Sequence, residues 1–145
     1  MLGYFENNNP YVDIEVTGHP LLKQDYQTVK ALVDTGFNGH LQMPFEVAFP
    51  LGLILFGVQT ITIADGSAVN QFVCVGTVKI DKKEVSVPIN IAAGCPTLIG
   101  TQLFKLAGKN IKVDFISEEI EIYDKEQSVP KKSTKTETEI VSKDD

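Results

Sequence analysis

The amino-acid sequence predicts an all-β domain, a single β-barrel with one or two short helices. Two observations support this fold class. Apolar and polar residues alternate in short runs with a period of two, which is typical of half-buried strands. Gly, Pro and Asp-Gly turn signals separate these runs, and only two short stretches are typical of helices.

The first half of the chain predicts three strands and a helix. In residues 11–17, Val12, Ile14 and Val16 point one way and two acidic residues the other. Residues 27–33 form the second strand and residues 41–43 a short third one. Pro44 favours the start of a short helix, because proline is common at the first helical position. Pro50 and Gly52 are expected to end this helix.

The second half is β-rich from residue 58 to residue 91. Asp65-Gly66 lies between two β-rich runs and predicts a hairpin. Strands 69–80 and 85–91 follow, joined by a turn at 81–83. Thr101 is the expected cap of a helix over residues 101–106, and Gly108 is expected to end it. Residues 111–115 and 120–123 predict a closing hairpin.

Composition narrows the possible partners. The chain has 145 residues, a net charge of −6 and 13 positive residues, all of them Lys. Without Arg it lacks the planar group that binds phosphate or guanine through two parallel hydrogen bonds. We therefore expect no nucleic-acid partner.

The length of the apolar runs, the N-terminal residues and the two cysteines predict a cytoplasmic protein without a membrane partner. No run approaches the roughly 18 apolar residues of a membrane span. Asn7, Asn8 and Asn9 stand where a signal peptide would have its apolar core. Cys74 and Cys95 are too few for a disulfide framework, which favours two free thiols in a reducing compartment.

A change of composition suggests the domain boundaries. From residue 126 Lys alternates with Ser, Thr and Glu, and apolar residues nearly vanish. Such a segment buries too little apolar surface to fold. We expect an N-terminal arm over residues 1–10, one domain over 11–125 and a disordered polar tail over 126–145.

The most informative feature is the apolar run Ala31-Leu32-Val33 leading into Asp34-Thr35-Gly36. A strand thus carries one carboxylate to a tight turn. Aspartic proteases use two facing carboxylates that share a proton and activate one water. Since the chain has one such triplet, the second carboxylate would have to come from a second copy of the chain.

Three elements, in this order, resemble the retropepsin-like (retroviral-type, clan AA) aspartic proteases. They are the catalytic motif at residues 33–36, a flap at Ile63-Ala64-Asp65-Gly66-Ser67, and Leu98-Ile99-Gly100 followed by a helix. The resemblance covers roughly residues 11–123 and is closer to prokaryotic and other cellular single-domain members than to viral ones.

The resemblance implies a homodimeric aspartic endopeptidase that needs neither a metal nor another cofactor. Asp34, Thr35 and Gly36 of each chain would form the catalytic centre, with a peptide or protein substrate held extended beneath the flap. The candidate substrate-binding residues are Phe37, Asn38, Ile63, Ala64, Asp65, Gly66 and Ala93.

Several assignments have alternatives. Phe37 stands where the family often has Ala or Ser, so it would either narrow a subsite or turn inward. Asn38 would either bind the substrate main chain or hold its own turn, and Asp65 would lie in a flap or in an ordinary hairpin turn. Retroviral members usually have an Arg near the final helix that helps to lock the dimer. This chain has none, so its dimer would close in another way.

Two other functions remain open. A non-catalytic member of the fold would be a dimerisation or peptide-binding module, although the intact triplet favours the enzyme. A monomeric barrel for a small ligand would leave Asp34 without a role.

Overall fold

A computed structural model describes residues 1–18, 24–62 and 64–125. Its strands and helices there confirm the all-β class. Helix α1 spans Phe45–Ala48 and is followed by a 3-10 turn, Phe49–Leu51, and helix α2 spans Thr101–Ala107. The strands are β1 (Leu2–Glu6), β2 (Asn9–Thr17), β3 (Gln27–Val33), β4 (Leu41–Met43), β5 (Ile54–Thr62), β6 (Ala68–Ile80), β7 (Lys83–Ile91), β8 (Leu98–Ile99), β9 (Lys109–Asp114) and β10 (Glu119–Asp124).

The strands form one sheet that curls back on itself. Their order is β5-β6-β7-β4-β8-β3-β2-β1-β10-β9, and β2 also pairs with β6. This extra pairing closes the strands from β6 to β2 into a barrel. Strand β8 lies parallel to β3 and antiparallel to β4, so the segment before α2 is inserted between two strands from the first half of the chain.

Alternation decides which residues enter the core. In β2, Val12, Ile14 and Val16 are fully buried, whereas the acidic residues between them are exposed, as the sequence predicts. In β3 the buried residues are Val29, Ala31 and Val33. The same core includes residues from β4, β6, β7, β8, β10 and both helices.

The N-terminal residues belong to the sheet rather than to a separate arm. Strand β1 pairs with β2 on one side and with β10 on the other. Asn7 and Asn8 form the β1–β2 turn with φ values of 51° and 66°. Asn tolerates this left-handed backbone better than most residues, so the asparagine pair is itself a hairpin signal.

The start of α2 differs from the prediction. Gly100, not Thr101, is the N-cap, and no side chain caps the helix. The Thr101 hydroxyl instead lies 3.5 Å from the carbonyl oxygen of Phe37. Gly108 ends the helix as predicted, with φ of 67° and its N–H bonded to the carbonyls of Lys105 and Phe104.

The C-terminal segment and the expectation about the membrane are the last points of the fold. Residues 126–145 are not among the described residues, so the predicted polar tail and the boundary at 125 stay predictions. In the part of the chain that is described, no helix is long and apolar enough to cross a membrane.

A buried lysine joins the ends of the domain. The Lys109 side chain, 5% exposed, donates to Asp81 at 3.2 Å and to Asp124. The α-amino group of Met1 lies 3.5 Å from the other Asp81 oxygen. The cluster therefore fastens the β6–β7 turn to β1, β9 and β10.

We predict that Lys109→Met lowers the free energy of unfolding by about 1–2 kcal/mol, because it removes charge-assisted hydrogen bonds to the partly buried Asp81 and the exposed Asp124. Burial raises the pKa of Asp81, but the hydrogen bonds and charges of Lys109 and of the Met1 α-amino group together outweigh burial and lower that pKa. A carboxylate with a lowered pKa stabilises the folded state fully at pH values above its unfolded pKa of about 3.9. This stabilisation is lost as the pH falls through the lower pKa of the folded state.

The measurement is urea unfolding of wild type and Lys109→Met across pH. The stability gap should be constant from about pH 7 to about pH 4 and should close below that. Lys112→Met, on an exposed position of the same strand, is the control and should change stability by less than about 0.5 kcal/mol. Equal losses in the two variants would contradict the assignment.

Candidate active site

The strand pairing of β3 continues into the predicted catalytic turn. The Asp34 N–H donates to the Ile99 carbonyl at 3.1 Å, just as the Leu32 N–H donates to the Thr97 carbonyl at 2.9 Å. The Asp34 carboxylate accepts the Gly36 N–H at 2.9 Å through Oδ1. This bond fixes the carboxylate in a tight turn, as the sequence predicts, and the side chain is half-buried.

A second set of backbone bonds holds the loop that follows. The carbonyls of Phe37, Gly39 and His40 accept the N–H groups of Thr101, Gln102 and Gly100 at 3.0–3.1 Å. We call residues 37–40 together with residues 100–102 the loop–helix latch. Because these N–H groups lie at the start of α2, the loop caps the helix and the helix positions the loop.

The latch requires glycine at position 100, and Gly39 leaves room for the Phe37 ring. A Cβ on Gly100 would lie 2.6 Å from the Phe37 carbonyl oxygen and still closer to that of Gly39. A Cβ on Gly39 would lie 2.5 Å from the Phe37 ring. The sequence places Gly100 in the Leu98-Ile99-Gly100 element and gives Gly39 a permissive backbone geometry, but it does not predict these close contacts.

The Phe37 side chain turns inward. Its ring lies over Gly39 and Gly100, where the missing side chains leave room for it. Of the two alternatives for this residue, packing within the loop is therefore the one observed. Burial also lowers the pKa of the neighbouring His40, which keeps that imidazole neutral near pH 7.

The remaining residues of the turn face outward. Thr35, Gly36 and Asn38 are exposed. Among the described residues, no hydrogen bond holds the side chain of Thr35 or Asn38. Both are free to meet a ligand or a second chain, as their predicted roles require.

The predicted flap residues lie at the tip of the β5–β6 hairpin. Ala64, Asp65 and Gly66 are exposed there, and Ile63 lies outside the described residues. The Asp65 carboxylate accepts the Ser67 hydroxyl at 2.6 Å and the Ser67 N–H at 2.8 Å. These bonds lower the pKa of Asp65 and give its side chain a role within its own turn.

The last candidate is Ala93. It is exposed in the loop after β7, and no described contact joins it to Asp34. Asp34, Thr35, Gly36, Phe37 and Asn38 are consecutive and form one turn and the loop that follows it.

Comparison with solved structures identifies a similar fold. The chain is similar to the EIAV protease, a retroviral protease, complexed with the inhibitor HBY-793. The two share 16% sequence identity with a TM-score of 0.55, over 72% of this chain and 93% of that chain. No family model and no curated protein matches the chain. At this identity the likeness shows the fold alone, and the predicted retropepsin-like fold is confirmed.

We predict that Gly100→Ala lowers the free energy of unfolding by about 2–4 kcal/mol, because the new methyl group meets backbone oxygens that cannot move without breaking the latch. Gly57→Ala is the matched control, since a Cβ there meets nothing within 4 Å. Thermal unfolding of both variants tests this. Similar melting temperatures would contradict the role of the latch.

Proposed function

We propose that this chain is one half of an aspartic endopeptidase and acts as a homodimer. The observation that carries the proposal is the Asp34 carboxylate, held by the Gly36 N–H at the end of a strand in a fold similar to that of a retroviral protease. Its substrate is an extended peptide or protein segment.

The chemistry follows from bringing two such turns together. Two carboxylates held close to each other cannot both ionise freely, so the pair retains one proton. The ionised member takes a proton from water, and the protonated member donates to the carbonyl oxygen of the peptide bond. Thr35 and Gly36, exposed beside the carboxylate, are the residues that a second turn would meet first.

Strand β1 pairs within the chain, residues 2–3 with β10 and residues 4–6 with β2. We propose that the two Asp34 turns themselves lie at the two-fold axis, since each chain contributes the same turn.

We predict that Asp34→Asn abolishes peptide cleavage and leaves the fold intact. Asn still has an oxygen that accepts the Gly36 N–H, but it cannot act as the base. The assay is cleavage of a peptide library by wild type and variant, in which wild type should be most active on the acidic side of neutrality.

Asp114→Asn is the matched control. Asp114 also accepts backbone N–H groups in a turn, those of Ile116 and Ser117 at 3.0 Å, but at the β9–β10 hairpin. This variant should cleave as wild type does. Equal cleavage by Asp34→Asn and wild type would disprove the catalytic assignment. A stable dimer that cleaves nothing would favour the non-catalytic peptide-binding module.

Mixing tests whether two chains share one site. Wild type and Asp34→Asn are mixed 1:1 under conditions in which the dimers exchange subunits freely. Only about a quarter of the dimers then carry two Asp34 residues. Activity should therefore fall to about a quarter of that of the same total amount of wild type. A fall to one half would show that each chain acts alone, and mixing with Asp114→Asn should cause no fall.

A further inference from the structure

The face of the sheet opposite the core carries a group of amide side chains. Gln42 in β4 and Asn90 in β7 lie between residues whose side chains enter the core, and Gln71 in β6 lies two residues before Val73, which pairs with Asn90. Leu41 and Met43, for example, are fully buried on either side of Gln42. We call Gln42, Gln71 and Asn90 the amide face.

Strand register places the amide face on the same side of the sheet as Asp34. Directly opposed residues of neighbouring strands point to the same face, and so do residues two apart on one strand. Asp34 is two residues beyond Leu32, and its N–H still bonds in the strand pattern. The row that starts at Leu32 and crosses the sheet, one residue per strand, is Leu32, Leu98, Gln42, Asn90 and Val73.

Hydrogen bonds fix the amides in place. Asn90 Nδ2 donates to the side-chain oxygen Oε1 of Gln71 at 2.9 Å. Gln42 Nε2 donates to the backbone carbonyl oxygen of Pro96 at 3.3 Å. Gln71 is only 8% exposed. Each side-chain amide uses only its nitrogen or only its oxygen in these hydrogen bonds. Within the described residues, the side-chain nitrogen of Gln71 and the side-chain oxygens of Gln42 and Asn90 have no hydrogen-bond partner.

We propose that the amide face selects peptides with an uncharged, hydrogen-bonding side chain, Asn or Gln above all, near the Asp34 turn. The proposal rests on the proposed function of this site as a peptide-binding cleft. A carboxamide offers both a donor and an acceptor, which complement the amide groups left over on the face. None of the five row residues, nor Gln71, carries a charge that would attract an ionised side chain.

Discrimination follows from the cost of unpaired polar groups. An apolar side chain covering the amide face would remove these groups from water without replacing their hydrogen bonds. A site that hydrogen-bonds its ligand rejects analogues that lack the matching group. The preference should therefore be stronger than an apolar pocket gives for one aliphatic side chain over another.

The test measures binding separately from cleavage. Full-length Asp34→Asn is used to select from a library of uncleaved peptides, and Asn or Gln should be enriched at one position. A second protein carries Gln71→Leu and Asn90→Leu in addition to Asp34→Asn. Both partners of the 2.9 Å hydrogen bond are then removed together, so no buried amide is left without its partner. This variant should bind a selected Asn peptide about tenfold or more weakly and a matching Leu peptide no worse.

Two further variants complete the design. Asn110→Leu replaces an exposed amide on β9 and should leave the preference unchanged. If the double substitution lowers the melting temperature too far, Gln42→Leu alone carries the test, because its bond to Pro96 is exposed. A library that shows no enrichment, or a preference that survives these substitutions, overturns the proposal. Enrichment without cleavage by wild type would support the amide face and remove only the proposed catalysis.

Discussion

The candidate site depends on the loop–helix latch. Three carbonyls of the loop after Asp34 accept the first N–H groups at the start of α2, so each segment satisfies backbone groups that the other would leave unpaired. This reciprocity explains why α2 needs no capping side chain. It also explains Gly100, where two backbone segments approach too closely for a side chain, and Gly39, whose missing side chain leaves room for the Phe37 ring.

The second constraint is the alternation of β3. Val29, Ala31 and Val33 enter the core, which leaves Leu32 and Asp34 on the opposite face. A register slip of one residue would exchange the two sets and bury the carboxylate. The parallel pairing of Leu32 with Leu98 and of Val33 with Ile99 holds this register. The same bonds that place the core residues therefore also present Asp34 to solvent.

Local patterns were enough to predict most of the fold but not the surroundings of Asp34. The alternation of β2, the Asp65-Gly66 hairpin and the triplet after β3 are each encoded within a few residues. Strand β1 was missed because an Asn-Asn turn is a weaker signal than Asn-Gly. The cap of α2 and the amide face depend on residues more than 15 positions apart, such as Phe37 and Thr101 or Gln71 and Asn90. No local pattern specifies such pairings.

The proposed catalysis by two carboxylates would require a fold that stays stable in mild acid. Hydrogen bonds from Ser67 lower the pKa of Asp65, and those from the N–H groups of Ser117 and Ile116 lower that of Asp114. The pKa of Asp81 is lowered as well, since Lys109 and the Met1 α-amino group together outweigh the effect of burial. Carboxylates with lowered folded pKa values stabilise a protein above the unfolded value of about 3.9 and lose this effect only below it. Three turns thus keep their contribution over the mildly acidic range in which a shared proton between two carboxylates would be used.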